Sequence, residues 1–169
     1  PGRLEAAVEK LCSAVEAKLD EGNSLVIMSD RGTGPGKAPI PALLATTAVH
    51  QHLIRKGKRY LAGLVLETGE AREVQHFACL VGYGINAINP YLVFETLADL
   101  AKRGHFSEGL TLETAIENYI TAIKKGLLKV MSKMGISTIR SYRGAQIFEA
   151  VGLNDAFVDR YFPGTSSRI

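Results

Sequence analysis

Ser24-Leu25-Val26-Ile27-Met28-Ser29-Asp30-Arg31-Gly32 holds the element around which the rest of the chain is arranged. Its first half is short, apolar and partly β-branched, the pattern of a buried strand over 24–28. Its second half turns abruptly polar. The following Thr33-Gly34-Pro35-Gly36 satisfies only a loop. The strand before it and the loop after it therefore put Ser29, Asp30 and Arg31 at a strand's C-terminal end.

Upstream, the apolar positions Leu4, Ala7, Val8, Leu11, Ala14, Val15 and Leu19 recur every three or four residues, which predicts a helix over 4–19 stopped near Gly22. Downstream, Pro39 and Pro41 open a helix that runs to about Lys56, with Gly57 as its stop. A second strand is expected over 62–67, a turn at Thr68-Gly69-Glu70 and a helix over 71–80. A third strand is expected over 87–89, and Pro90 then opens a helix over 91–102. Strand followed by helix, three times over, means parallel βα units in an α/β fold. Three units are too few to close an eight-unit barrel, so they form an open sheet or part of a barrel.

After residue 103 the character changes. A polar loop precedes Thr111, an N-cap for a long helix over 113–134 in which Gly126 is a weak point. A short strand or extended segment is expected over 136–139, short helices over 144–150 and 154–161, and a loop from 162 to the end. The division that follows is 1–103 for the βα units and 104–169 for a mainly helical segment.

Composition restricts function. The 169 residues carry 20 Lys and Arg against 17 Asp and Glu, a net charge of +3. Opposite charges alternate along the chain, so charge alone does not indicate nucleic-acid binding. Two distant cysteines, Cys12 and Cys79, supply neither a disulfide framework nor a paired zinc motif, and fit a reducing compartment. No apolar run approaches the roughly 18 residues of a membrane span. No apolar segment follows the N-terminus as a signal peptide would require. The expectation is a cytoplasmic protein with no membrane or nucleic-acid partner. The first residue is Pro and the tail does not read as a domain end, so a segment of a longer gene product is expected.

The candidate site residues are those at strand C-termini, where α/β folds bind ligands: Ser29, Asp30 and Arg31, then Glu67 and Glu70, then Asn89. A carboxylate beside a guanidinium orients a polar ligand, or simply forms a local ion pair. Glu67, Glu70 and Glu73 are expected to crowd one helix N-terminus, which suits the helix dipole and opposes a phosphate.

Gly82-Tyr83-Gly84-Ile85-Asn86-Ala87 matches G-x-G-x-x-A, but a helix precedes it where a dinucleotide fingerprint needs a strand. It reads as a helix-terminal glycine turn. His50 and His52, two apart, face different directions and make no metal pair. His76 stands three residues after Glu73, the spacing of a hydrogen-bonded pair. Lys124, Lys125, Lys129, Lys133, Arg140 and Arg143 form either a docking surface for an acidic partner or the solvated side of an amphipathic helix, and the complementary apolar positions favour the latter. Cys12 lies on an apolar helix stripe and reads as core. No catalytic, cofactor-binding or metal-ligating set emerges from spacing.

Longer stretches carry a resemblance. Met28-Ser29-Asp30-Arg31, Ala38-Pro39-Ile40-Pro41-Ala42-Leu43-Leu44-Ala45, Glu67-Thr68-Gly69-Glu70-Ala71-Arg72-Glu73-Val74, Ala87-Ile88-Asn89-Pro90-Tyr91-Leu92 and Lys125-Gly126-Leu127-Leu128-Lys129-Val130-Met131-Ser132-Lys133-Met134-Gly135-Ile136-Ser137 resemble the large subunit of glutamate synthase. So does Ser141-Tyr142-Arg143-Gly144-Ala145-Gln146-Ile147-Phe148-Glu149-Ala150, and the resemblance covers nearly the whole chain.

The resemblance implies a multidomain flavoenzyme. A glutaminase domain with a cysteine nucleophile releases ammonia. A β/α barrel carrying FMN and a 3Fe-4S cluster combines that ammonia with 2-oxoglutarate and reduces the imine to glutamate. Residues 1–103 then correspond to the C-terminal part of the central domain, a degenerate β/α barrel, and 104–169 to the connection into the flavin domain. The implied role is structural, linking glutaminase and flavin domains, with FMN and cluster ligands outside this chain. The implied partners are the other domains of the subunit and an electron-donor subunit or ferredoxin. Cys12 and Cys79 match none of the family's cluster cysteines. Gln75 stands where the family often has a His beside His76. Without the resemblance, the same strand ends suggest a partial β/α barrel that binds a phosphorylated small molecule.

Overall fold

The computed structural model describes residues 2–168. Helix α1 (Gly2–Asp20) precedes strand β1 (Leu25–Ser29). Helix α2 (Ala42–Arg55), strand β2 (Gly63–Glu67), helix α3 (Val74–Gly82), strand β3 (Ala87–Asn89) and helix α4 (Tyr91–Lys102) follow. The sheet order is β1-β2-β3 and both pairings are parallel, so the three βα units are as the alternation predicts. Leu25 pairs with Gly63 and Ser29 with Glu67; Glu67 pairs in turn with Asn89. That register sets the last residues of all three strands side by side.

Side chains alternate across a strand, and only one side of this sheet is covered. Met28, Leu64 and Leu66 point into a core that also takes Val8, Cys12, Val15 and Leu19 from α1, Leu44, Val49 and Leu53 from α2, and Phe77 and Leu80 from α3. On the opposite face Leu25 and Ile27 are 61% and 62% exposed.

Helix α5 (Leu112–Lys133) starts at Thr111, whose side chain accepts from the Thr114 N–H. It packs on α3 and α4 through Tyr119, which stands edge-on to both Phe77 and Phe94. At Gly126 α5 lies close against α3: a Cβ there would lie under 3.0 Å from Val74 Cγ2. A glycine that sequence marks as a helix weakness thus permits the close approach of two helices.

Several expectations need correction. Pro41 is the N-cap of α2 and lies outside its first turn, and α3 begins at Val74, later than expected. A short helix α6 (Ile139–Tyr142), capped by Thr138, follows the segment expected to be extended. The helix expected over 144–150 is absent. Those residues form a turn and an irregular segment, with positive φ at Gly144 and Gln146, and lead into β4 (Glu149–Val151), which pairs in parallel with β5 (Ser166–Arg168) in the tail expected to be loop. Helix α7 (Asp155–Tyr161) lies between them, capped by Asn154. The reason is tertiary: Phe148 stacks on Tyr83 and Val158 enters the core, contacts that override local helix propensity.

Candidate functional site

The parallel register brings the candidate residues Ser29, Asp30, Arg31, Glu67, Glu70 and Asn89 to one rim of the sheet, as strand C-termini in neighbouring units must be. Glu67 is the hub. Its carboxylate accepts from Ser29 Oγ at 2.6 Å, from Arg31 Nε at 2.7 Å and from Asn89 Nδ2 at 3.3 Å. Arg31 reaches further, donating to Glu95 Oε1 of α4 at 2.7 Å, and its guanidinium lies 4.1 Å from the Tyr91 ring centroid. The Arg31 guanidinium, with help from Ser29, holds the Glu67 carboxyl below the usual carboxylate range; Glu67 and Glu95 in return raise Arg31.

A second arrangement lies beside it. Asp30 accepts from Thr68 Oγ1 at 2.6 Å and from the Gly69 N–H at 3.1 Å. Thr68 is fully buried, and its hydroxyl also accepts from the Glu70 N–H. The backbone donor that an anionic ligand would use at this strand end is taken by the chain's own carboxylate. The Asp30 carboxylate also raises the Tyr91 hydroxyl.

The three glutamates do not share one helix end. Glu67 serves Arg31. Glu70 accepts from the Ala42 N–H at 3.0 Å and so caps α2, whose N-cap Pro41 has no side-chain acceptor. Only Glu73 stands at the start of α3, where His76 Nδ1 accepts from its N–H at 3.2 Å. The Glu73–His76 pair therefore meets through the backbone at the start of α3, in a capping-box arrangement. Sequence spacing missed Thr68, Tyr91 and Glu95. Tyr91 and Glu95, four apart on α4, carry the helical signal that puts both on the side facing Arg31.

The remaining motifs resolve into packing. A Cβ at Gly82 would meet Phe148, and one at Gly84, where φ is +112°, would meet the His50 ring, both under 3.0 Å. The G-x-G pair therefore gives room to side chains. His50 Nδ1 accepts from Arg59 Nε at 2.8 Å, and burial together with the Arg59 charge pulls its pKa down to about 4. His52 Nε2 lies 2.7 Å from Glu16, joining α2 to α1. Lys124, Lys125, Lys129 and Lys133 are exposed along α5, the solvated side expected of them, while Arg143 is half-buried. Cys12 is buried in the core, and Cys79 is half-buried with its thiol raised by desolvation.

An iron–sulfur cluster needs several thiolates at one place. The chain has two cysteines, on α1 and α3, and no group of three metal-binding side chains occurs among the described residues. These residues do not fit such a cluster. No described helix is long and apolar enough to cross a membrane.

Comparison with known proteins gives a consistent answer. The family described as glutamate synthase central domain matches residues 1–154. The chain is 49% identical over 166 residues to the glutamate synthase (NADPH) large chain of Bacillus subtilis, covering 98% of the chain and 11% of that protein. It is 45% identical over 164 residues to the glutamate synthase (NADH) of Schizosaccharomyces pombe, covering 97% of the chain and 8% of that protein. It is 43% identical over 179 aligned residues to the chloroplastic ferredoxin-dependent glutamate synthase of Oryza sativa subsp. japonica, covering 99% of the chain and 11% of that protein. The chain thus spans about a tenth of the length of these relatives.

Proposed function

This chain belongs to the glutamate synthase central domain family, and from that membership we propose that it is a scaffold segment of an enzyme converting glutamine, 2-oxoglutarate and reductant to two glutamates. In this reading the chemistry lies outside the chain: ammonia release in a glutaminase domain, reduction in a domain carrying FMN and a 3Fe-4S cluster. Residues 1–103 are the C-terminal part of the central domain's partial barrel, and 104–169 lead toward the flavin domain. The family model's match runs through residue 154 and so covers part of that connection. The electron donor is a pyridine nucleotide or ferredoxin, since both kinds are named among the relatives. The compartment is the cytoplasm, which suits two unpaired cysteines.

One observation supports the scaffold role above the rest. The rim residues spend their hydrogen-bonding capacity on one another: Glu67 on Ser29, Arg31 and Asn89, Asp30 on Thr68 and Gly69, Glu70 on α2. A substrate site keeps donors or acceptors for its ligand, whereas this network ties three βα units and α4 together. The same saturation argues against the phosphorylated-ligand reading, whose backbone donor at Gly69 is already occupied.

The test is the coupling ratio of the full-length enzyme carrying Glu67→Gln or Arg31→Ala. A scaffold role predicts a lower melting temperature with the ratio of glutamate formed to glutamine hydrolysed unchanged. Ammonia released without glutamate, in a variant of wild-type stability, overturns the scaffold reading and makes the rim part of the ammonia route.

A further inference from the structure

Between the start of α2 and the first turns of α3 lies a pocket of about 330 Å³, at the lower end of the sizes that hold small ligands. Buried Ala42, Ala71 and Leu80 give it an apolar floor. Glu70 and Arg72, both exposed, stand in its lining as well. These opposite charges share the pocket without pairing. Among the described residues neither side chain is in an ion pair, with the other or with a third group.

Both residues are anchored by bonds that leave their charge unspent. Unlike Glu67 and Asp30, Glu70 commits one carboxylate oxygen only: Oε2 accepts from the Ala42 N–H at 3.0 Å, and Oε1 has no hydrogen-bond partner among the described residues. Arg72 is fixed through its backbone. Its N–H donates to His76 Nδ1 at 3.1 Å, and its carbonyl accepts from the Tyr119 hydroxyl at 3.0 Å. Its guanidinium makes no hydrogen bond to the described residues, so the fork by which arginine binds a carboxylate is open. His76 lines the same pocket and accepts on Nδ1, so its neutral ring carries the proton on Nε2 as a further donor. An anion alone would meet the Glu70 carboxylate here, and a cation alone the Arg72 guanidinium. A zwitterion meets each charge with its opposite.

We propose that this pocket binds a free α-amino acid with a short aliphatic side chain. Its carboxylate takes the Arg72 guanidinium and the His76 Nε2–H, its ammonium takes Glu70 Oε1, and its side chain covers Ala42, Ala71 and Leu80. The site does not depend on the scaffold reading, which stands whether or not an amino acid binds.

Calorimetric titration of the 169-residue chain with L-norvaline tests the proposal, beside pentanoate and butylamine, which each lack one of its two charges. Norvaline should bind saturably, and each analogue about tenfold more weakly or worse at matched ionic strength. Glu70→Gln removes the charge but keeps an oxygen for the Ala42 N–H, so α2 stays capped. Arg72→Gln alters an exposed side chain that no described group bonds. Each variant should weaken norvaline about tenfold or more. Glu70→Gln should also bind pentanoate more tightly than the wild type does, and Arg72→Gln should do the same for butylamine, gains that unfolding cannot give. Four results overturn the proposal: norvaline that does not saturate, an analogue bound by the wild type as tightly as norvaline, norvaline binding unchanged in either variant, or weakened norvaline binding without either gain.

Discussion

Gly126 of α5 faces Val74 of α3 so closely that a Cβ at 126 would come within 3.0 Å of two Val74 methyl groups and close to its Cβ as well. Rotating Val74 does not clear the space, because its Cβ also lies 3.2 Å from the added Cβ and a β-branched side chain keeps two heavy atoms there. Gly126→Ala therefore sets two effects against each other. Helix propensity favours alanine by about 1 kcal/mol. Overpacking at a tight contact costs about 1–3 kcal/mol. The contact wins, and Gly126→Ala lowers stability by roughly 1 kcal/mol in denaturant unfolding. Adding Val74→Ala opens the space and recovers part of the loss, a coupling that a double-mutant cycle reads directly.

The attachment of α1 to α2 depends on pH through Glu16. Its carboxylate lies 2.9 Å from Lys58 Nζ and 2.7 Å from His52 Nε2, and these bonds hold its pKa down from the ordinary 4.5 to about 2. A depressed carboxylate pKa gives stability that is complete above the unfolded value and lost as pH falls through the folded one. The stability difference between wild type and Glu16→Gln is therefore full above pH 4.5 and shrinks down to about pH 2. Thermal melts of the two proteins across that range measure it.

His50 titrates with the opposite origin but the same direction of effect. Burial, with the charges of Arg59 and Arg143, lowers its pKa from 6.5 to about 4. Between those values the unfolded chain binds a proton that the folded chain refuses, so stability falls as pH drops from 6.5 to about 4. The imidazole resonances of His50 should show a midpoint near 4 in a nuclear magnetic resonance titration. A midpoint at its ordinary value would show that His50 is not buried beside these charges in solution.

Tyr142 is fully buried, with its hydroxyl donating to the Ala78 carbonyl at 3.0 Å and its ring edge-on to Phe148. Tyr142→Phe keeps the packing and removes one neutral hydrogen bond, a cost of about 0.5–1.5 kcal/mol. Tyr142→Ala also empties the cavity and costs several-fold more, about 3–5 kcal/mol. The ratio between the two variants in equilibrium unfolding separates the bond from the packing.

The three βα units were legible because each strand is a short apolar run and each helix keeps a clear period, with Gly57 and Pro90 as punctuation. The strand ends were legible for the same reason: Ser29, Glu67 and Asn89 follow their apolar runs at once, and parallel pairing aligns them. What local pattern does not carry is the partner across the fold. Nothing near Glu70 in sequence indicates that it caps a helix 28 residues earlier. Gly126 looks like a defect until Val74 is seen against it. Residues 144–150 have the composition of a short helix, yet Phe148 is drawn to Tyr83, Gly144 and Gln146 take positive φ, and no helix forms. Arg143 belongs by spacing to the solvated basic run, and only tertiary structure buries its Nε.

The uncovered face of the sheet determines where selection on this segment can be detected. Leu25 and Ile27 stand out of β1 with more than half their surface in water, and β1 has no further strand beside it among the described residues. A polar residue at either position takes little buried apolar area from this chain, so a mutational scan of the 169 residues would score it as tolerated. On the segment reading proposed above, constraint on those two side chains comes from atoms of the rest of the enzyme. A scan repeated at full length, with the two tolerance maps subtracted, would outline that neighbour's footprint before any coordinates of it were known.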